Sequence, residues 1–197
     1  METYRLFIAV EVSPEVKAEL AAAQERLRRG GAPVKWVAPE ALHMTLHFLG
    51  ETDVALLPRL GAALCEALAG ATAIGLRLAG AGAFPNLRRP NVIWAGIDGA
   101  TAALERIQAA TGTALESLGL PRETRPFRAH LTLGRVRREA TPAQLEHLGE
   151  AVRSLPPFMP LPWDVDRVVL FRSELRPPGP VYTEILDCRL QIADCRC

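Results

Sequence analysis

Two short segments of the chain share one pattern of residue types. Residues 43–46 read HMTL and residues 130–133 read HLTL, so each holds a histidine, an apolar residue, a threonine and a leucine. The chain has only four histidines in 197 residues, and chance would rarely place two of them in the same tetrapeptide frame. Imidazole has an unperturbed pKa of about 6.5, so near neutral pH it can give or take a proton. The repeated pattern therefore predicts an acid–base site built from two similar halves.

Each segment has the apolar alternation of a β-strand. On a strand, alternate side chains point to the same face, so His43 would lie beside Thr45 and His130 beside Thr132. The apolar residues between them would cover the opposite face. Two such strands facing each other across a cleft would offer two imidazoles and two hydroxyls to one ligand.

Arginines cluster around the second segment. The stretch from residue 122 to residue 138 holds a single acid, Glu123, and six arginines: Arg122, Arg125, Arg128, Arg135, Arg137 and Arg138. A second basic pair, Arg88 and Arg89, lies closer to the middle of the chain. Guanidinium groups bind phosphate oxygens through paired hydrogen bonds. The substrate is therefore predicted to be an anion that carries phosphate.

A zinc site is the main chemical alternative at the first motif. His43 and His47 are four residues apart, which on a helix would place both on one face as metal ligands. On a strand, the same spacing separates them by about 13 Å. The alternation of Met44 and Leu46 favours a strand. We therefore expect no metal and no cofactor.

Cysteine content and overall composition predict a cytoplasmic protein. Hydrophobic residues make up 49% of the chain and charged residues 23%, and the formal net charge is +1. No apolar run is long enough to cross a membrane or to act as a signal peptide. The cysteines do not follow a zinc-binding spacing, and we expect reduced thiols without a disulfide framework. They are Cys65, Cys188, Cys195 and Cys197.

The pattern along the chain mixes helices and strands. Ser13 and Thr141 are each followed by proline, which is typical of a helix start, and these helices should run to about Arg29 and Ser154. Two further helices are predicted over about 53–69 and 100–118. Strands are predicted over 4–10, 34–37, 43–49, 74–78, 92–97, 131–136, 165–171 and 181–186. This order predicts an α+β fold, with antiparallel strands in two sheets or one split sheet. Because the motifs lie about half the chain apart, a pseudo-twofold arrangement around a central groove is expected.

Several segments beyond the motifs carry a resemblance to a known family. They are RLFIA at 5–9, WV at 36–37, HMTLHFLG at 43–50, FRAHLTLGRV at 127–136, LFRSEL at 170–175 and PVY at 180–182. With these segments the chain resembles the 2H phosphoesterases. Within that superfamily it is similar to the bacterial RNA 2',3'-cyclic phosphodiesterases, also called 2'-5' RNA ligases of the LigT type.

The resemblance implies a bilobal α+β fold over residues 1–197, a single domain with one motif from each lobe. It implies metal-independent hydrolysis of an RNA 2',3'-cyclic phosphate end to a 2'-phosphate end, with 2'-5' ligation as an accompanying activity. His43 is expected to protonate the departing 3'-oxygen and His130 to draw a proton from water. Thr45 and Thr132 are expected to contact the phosphate.

The resemblance also implies that Arg135 helps to hold the substrate. Strict alternation places Arg135 on the face opposite His130. The strand must therefore end or bulge near Gly134 if the arginine is to enter the groove.

The resemblance implies further that an aromatic side chain near the groove stacks on a base, as is usual in proteins that hold single-stranded RNA. The candidates are Phe7, Phe48 and Phe84. Alternation from His43 places Phe48 in the core, so Phe7 and Phe84 are preferred.

Two other functions remain open from the sequence. The chain could be a phosphodiesterase for small cyclic or 2'-5' linked nucleotides, or a non-catalytic module that binds RNA. Both complete histidine–threonine pairs weigh against the second of these. The expected partner is RNA with a 2',3'-cyclic phosphate end or a small nucleotide, and the protein is expected to be a monomer with no membrane contact.

Overall fold

The computed structural model describes residues 2–31, 33–121, 126–177 and 179–192. Within them the chain forms nine strands and four α-helices. The strands are β1 (Thr3–Glu11), β2 (Val34–Trp36), β3 (His43–Asp53), β4 (Ile74–Phe84), β5 (Val92–Gly99), β6 (His130–Val136), β7 (Trp163–Val165), β8 (Arg167–Leu175) and β9 (Pro180–Arg189). The helices are α1 (Pro14–Arg29), α2 (Leu57–Leu68), α3 (Thr101–Ser117) and α4 (Pro142–Arg153).

The strands form two antiparallel sheets. The four-stranded sheet has the order β3-β1-β8-β9, and the five-stranded sheet has the order β2-β6-β5-β4-β7. Each motif begins a strand, and the two motif strands, β3 and β6, lie in different sheets. The predicted α+β class with two antiparallel sheets and flanking helices is confirmed.

Two helices begin where the sequence predicts. The Ser13 hydroxyl accepts a hydrogen bond from the Val16 backbone N–H, one turn into α1. At α4, Thr141 and Gln144 form a capping box in which each side chain accepts from the other's backbone N–H. Both caps satisfy N–H groups that the helix itself leaves without partners.

The first motif strand is longer than predicted. The sequence predicts an end at Gly50, but β3 continues to Asp53. Gly50 has a φ of 69°, a backbone conformation that glycine adopts without a steric penalty. Asp53 then caps a short 3₁₀ turn over Val54–Leu56, and α2 begins only at Leu57.

Helices cover one face of each sheet. The buried side chain of His47 on β3 donates from Nε2 to the Gln108 carbonyl of α3, at 2.8 Å. On the five-stranded sheet, the buried Gln24 of α1 donates to the Leu133 carbonyl of β6, at 2.8 Å. One cluster of buried apolar residues includes side chains from both sheets.

Both motif strands contain a β-bulge at the fourth motif residue. In β3, Thr45 pairs with Ala9 and His47 with Ile8, so Leu46 is the extra residue. In β6, Leu133 is the extra residue between two consecutive partners on β5. A bulge places two consecutive residues on one face and shifts the alternation of all that follow.

The bulges bring the first, third and sixth residues of each motif to one face. We call this face the motif face of each sheet; it carries His43, Thr45 and Phe48 in the four-stranded sheet. In the five-stranded sheet the equivalent residues are His130, Thr132 and Arg135. The bulge that Arg135 requires is therefore present, one residue before Gly134.

The same geometry makes the prediction for Phe48 wrong. Alternation without a bulge places this side chain in the core, but its ring is 64% exposed and lies on the motif face. His47 takes the buried position instead, with an exposed fraction of 2%.

The second bulge is held from the helix side. Gln24 donates through Nε2 to the carbonyls of Leu133 and Val37, both at 2.8 Å. The next residue, Gly134, lies so close to β2 that an added Cβ would be 2.5 Å from Val34 Cγ1 and 2.9 Å from Trp36 Cε3. A side chain at this position would overlap those of Val34 and Trp36, so only glycine fits here.

The prediction of reduced thiols is wrong for two of the cysteines. Cys65 of α2 and Cys188 of β9 form a disulfide, with their Cα atoms 5.3 Å apart. They are 123 residues apart in sequence, and the packing of α2 on β9 brings them together. Spacing along the chain could not indicate this pairing. Cys195 and Cys197 lie outside the described residues.

Among the described residues, no helix combines the length and the apolar character that a membrane crossing requires.

We expect Gln24→Leu to lower the free energy of unfolding by about 1–3 kcal/mol, because one buried and one partly buried hydrogen bond are removed and the Val37 carbonyl is left without this donor. Urea denaturation measures this change. The control is Arg26→Leu, which places the same residue at an exposed position of α1 and should change stability by less than about 0.5 kcal/mol. Equal stability of the two variants would contradict the role of Gln24.

Candidate active site

The two motif histidines lie on strands that approach each other. Cα atoms of β3 and β6 come within 8 Å of one another across the two sheets. His43, Thr45, His130 and Thr132 are all partly exposed on their motif faces, whereas the apolar residues between them are buried. The structure therefore presents two imidazoles and two hydroxyls on two strands that approach each other.

Both imidazoles are fixed by the same hydrogen bond. Nδ1 of His43 donates to the Ala41 carbonyl at 2.7 Å, and Nδ1 of His130 donates to the Arg128 carbonyl at 2.6 Å. A carbonyl can only accept, so the proton of each neutral ring resides on Nδ1 and the lone pair on Nε2. Each acceptor lies two residues before its histidine. Both rings therefore have the same tautomer, and neither Nε2 has a hydrogen-bond partner among the described residues.

Aromatic rings pack around His43. Its ring centroid is 4.7 Å from that of Phe7 and 5.1 Å from that of Tyr182, which approaches edge-on at 88°. Phe7 in turn stacks on Phe171 at 5.2 Å. These contacts limit the orientations that the imidazole can adopt.

A second aromatic group holds His130. The Phe84 ring meets the imidazole edge-on, with centroids 5.1 Å apart and planes at 89°, and Phe84 also packs on Trp94 at 5.3 Å. Gly82 leaves space for this arrangement, since a Cβ there would overlap the Trp94 indole. Each histidine therefore has one perpendicular aromatic neighbour.

Three of these rings were not identified from the sequence. Phe171 and Tyr182 lie in segments that carry the family resemblance, but the sequence assigns them no role. Trp94 lies in a predicted strand without a motif. Alternation on β8 and β9 could have placed the first two on the motif face, but only the sheet order places them beside His43.

The charges around the site affect two titrating groups. Burial lowers the pKa of His43 below its ordinary value of 6.5; the nearby Lys17 lowers it further, and the hydrogen bond to Ala41 opposes both effects. Burial raises the pKa of Tyr182, and the positive charges of Arg135 and Arg5 oppose this. Arg135 belongs to the five-stranded sheet and Tyr182 to the other, so the arginine acts across the gap between them.

A recess of about 160 Å³ opens beside His43. Its aromatic wall consists of Phe7, Phe171 and Tyr182. Its polar lining includes Glu11, Lys17 and Glu40.

Carboxylates gather beyond this recess on the four-stranded sheet. Arg167 forms ion pairs with Glu11, Glu184 (3.2 Å) and Asp187 (3.7 Å). This end of the motif face therefore has a mixed charge, with its acids and its arginine already paired.

The remaining predicted residues occupy different environments. Phe7 is only 3% exposed, beneath His43, whereas Phe84 is half-buried. Arg135 is exposed on the motif face. Arg122 and Arg125 lie outside the described residues.

His43 and His47 point to opposite faces of β3, because the bulge turns His47 into the core. The described residues contain no group of three or more histidine, cysteine or acidic side chains arranged to hold a metal ion.

Comparison with known families gives one match that covers most of the chain. The model of the LigT-like phosphoesterase family matches residues 10–94 and 97–182. These two segments are nearly equal in length, and each contains one motif.

Curated relatives and solved structures agree with this match. An RNA 2',3'-cyclic phosphodiesterase of Thermus thermophilus is 39% identical, over 91% of this chain and 86% of that protein. One of Thermotoga maritima is 32% identical, over 95% of this chain and 96% of that protein. The crystal structure of TT0787 from Thermus thermophilus superposes with a TM-score of 0.79 at 33% identity, covering 95% and 98% of the two chains. Escherichia coli LigT in complex with 3'-AMP has the same fold, with a TM-score of 0.76 at 23% identity and coverage of 96% and 99%.

We expect Lys17→Met to raise the pKa of His43 toward 6.5, because removal of the nearby positive charge makes the imidazolium easier to form. An NMR titration of the imidazole carbon-bound protons measures the shift. Lys35→Met is the matched control, since Lys35 does not contribute to the pKa of His43. A pKa that is unchanged or lower in Lys17→Met would contradict the electrostatic role of this lysine.

Proposed function

Because the chain belongs to the LigT-like phosphoesterase family, we propose that it hydrolyses RNA 2',3'-cyclic phosphate ends to 2'-phosphate ends. The observation that carries this proposal is the matched pair of imidazoles. Each donates from Nδ1 to its own backbone and keeps Nε2 for the ligand. A cyclic phosphodiester requires one group to accept a proton from water and one to donate a proton to the leaving oxygen.

The proton transfers balance when the two histidines start in opposite protonation states. Neutral His130 takes a proton from water as the water oxygen forms a bond to phosphorus. Protonated His43 gives its proton to the 3'-oxygen as the bond between phosphorus and that oxygen breaks. The phosphate remains on the 2'-oxygen, and a proton must return from His130 to His43 through solvent before the next cycle.

Three side chains are candidates to bind the non-bridging phosphate oxygens. The hydroxyls of Thr45 and Thr132 lie on the motif faces beside their histidines. Arg135 adds a guanidinium, which the bulge at Leu133 brings to the same face. Donors aimed at these oxygens stabilise the charge that redistributes in the transition state.

Aromatic residues support the site in two ways. Phe7 and Phe84 contact the catalytic imidazoles and hold their orientation. The recess beside His43 is lined by aromatic rings and is the proposed location of the terminal base. Small cyclic nucleotides would use this same recess. RNA ends differ from them only in the nucleotides that extend beyond the recess.

The proposed reaction uses no metal ion. Two imidazoles supply the acid and the base. Two hydroxyls donate hydrogen bonds to the phosphate oxygens, and one guanidinium offsets the negative charge. An RNA 5'-hydroxyl in place of water would undergo the same proton transfers and form a 2'-5' linkage. Ligation is therefore proposed as an accompanying activity of the same site.

His43→Ala and His130→Ala are each expected to lower the turnover of a 2',3'-cyclic phosphate by roughly 10²-fold or more, the scale for a positioned acid or base. Hydrolysis is measured by chromatography of the products in excess EDTA, where the unmodified protein should keep its full rate. His147→Ala is the matched control, because this exposed histidine lies on α4.

Two results would contradict this mechanism. Near-normal turnover in either folded histidine variant would contradict the assignment of an acid and a base to the two histidines. A rate that falls on chelation and returns with added zinc or manganese would remove the metal-independent reaction.

The roles of the two histidines predict a specific pH dependence. If His43 is the acid, kcat/KM falls as pH rises through the pKa of the free enzyme, which burial places below 6.5. A bound phosphate anion favours the imidazolium, so the alkaline limb of kcat should lie at higher pH than that of kcat/KM. The two limbs of the pH–rate profile belong to the coupled pair of histidines, and the two alanine variants separate them. His43→Ala should lose the alkaline limb.

A substrate with a better leaving group tests the assignment directly. It should restore turnover to His43→Ala, whose missing acid is no longer needed, and not to His130→Ala. The opposite pattern would exchange the two roles. A 3'-phosphate product would contradict the choice of leaving oxygen.

A further inference from the structure

One cross-strand row of the five-stranded sheet extends the active site outward. Phe84 of β4 pairs with Val92 of β5, Val92 pairs with Arg135 of β6, and Arg135 pairs with Lys35 of β2. Directly paired residues of antiparallel strands point to the same face. The Phe84 ring contacts His130, so the whole row lies on the motif face.

This row carries two neighbouring cations. Lys35 and Arg135 are exposed, and neither has an ion pair with a carboxylate among the residues that the structure describes. Like charges directly opposite each other on neighbouring strands repel and destabilise the sheet. A bound polyanion would convert this repulsion into attraction.

The loop at the end of the row adds two more cations. Residues 85–91 join Phe84 to Val92, and this loop contains Arg88 and Arg89 but no acidic residue. Both arginines are exposed, and no ion pair holds either of them within the described part of the chain. Four basic side chains therefore lie on this row and on the loop at its end.

The backbone of this loop is held in place. The Asn86 side chain accepts hydrogen bonds from the N–H groups of Arg88 and Arg89, at 3.0 and 3.1 Å. The Leu87 carbonyl packs so closely on Gly149 of α4 that no side chain would fit there. The two guanidinium groups thus extend from an ordered base, which lowers the entropic cost of binding an anion.

Resting on the proposed function, we propose that the RNA strand leading to the cyclic phosphate lies across Lys35, Arg135 and the loop arginines Arg88 and Arg89. His130 and Arg135 pair with Gly96 and Val92 of β5, which are four residues apart, so they are separated by about 13 Å at about 3.3 Å per residue. The cations beyond Arg135 therefore contact phosphates upstream of the scissile one. At the other end of the site, Arg167 and its carboxylates offer no comparable cationic surface among the described residues.

The proposal makes the protein selective for oligonucleotides over mononucleotides. The probes are a mononucleotide 2',3'-cyclic phosphate and a single-stranded hexanucleotide that ends in the same cyclic nucleotide. The measured quantity is the ratio of kcat/KM for the hexanucleotide to kcat/KM for the mononucleotide. In the triple variant Lys35→Gln, Arg88→Gln, Arg89→Gln, this ratio should fall about 10-fold at low salt.

A control variant has the same change in net charge. Arg26→Gln, Arg106→Gln, Arg153→Gln removes three exposed arginines from the helices and should leave the ratio unchanged. The slope of log kcat/KM against log salt for the hexanucleotide should flatten in the first variant only. The expected change is about 0.7 for each RNA phosphate that no longer has a cationic partner.

A binding measurement tests the RNA path separately from the proposed hydrolysis. Fluorescence anisotropy of a labelled hexanucleotide with a 2'-phosphate end should report about 10-fold weaker binding by the first variant than by the control, whether or not turnover occurs. Equal binding and equal ratios in the two triple variants would overturn the RNA path. If the unmodified protein hydrolyses neither probe, the proposed function fails, and the anisotropy result still decides the path.

Discussion

The arrangement of the site depends on an extra residue at the fourth position of each motif. Without the bulges at Leu46 and Leu133, the sixth residue of each motif would point into the core, and the motif face of the five-stranded sheet would lose the guanidinium of Arg135. The bulges are stabilised from the covered side, by Gln24 in one sheet and by His47 in the other. The helices therefore determine which side chains the motif faces present.

The two halves present similar imidazoles in different surroundings. Both rings donate from Nδ1 to the carbonyl two residues earlier, so their tautomers are the same. Their neighbours differ: His43 packs between Phe7 and Tyr182, where burial disfavours its charged form, whereas His130 meets the ring of Phe84. The two rings therefore differ in the side chains that surround them and not in their own hydrogen bonds.

Much of the fold could be predicted from local sequence, because its signals are local. Ser13 and Thr141 mark helix starts through side-chain hydrogen bonds that span three residues, and the motif alternation identifies the strands. The sequence predicts the bulge near Gly134 only because strict alternation would place Arg135 on the face opposite His130. The equivalent bulge before Phe48 has no such signal, so alternation places that ring in the core. The disulfide and the ring contacts of Tyr182 depend on which strands and helices become neighbours, and a single sequence does not contain that information.

Glycines in the five-stranded sheet have a further consequence. Gly82 lies under the Trp94 ring, and Gly134 lies against β2, so neither position has space for a side chain. The corresponding position after the first bulge is occupied by His47, a large residue that packs on a helix. The two halves of the molecule therefore differ in how freely their sequences can diverge. Substitutions should accumulate faster around the first motif, where a side chain that contacts a helix fills the buried position, than around the second, where any side chain in place of Gly82 or Gly134 would overlap its neighbours.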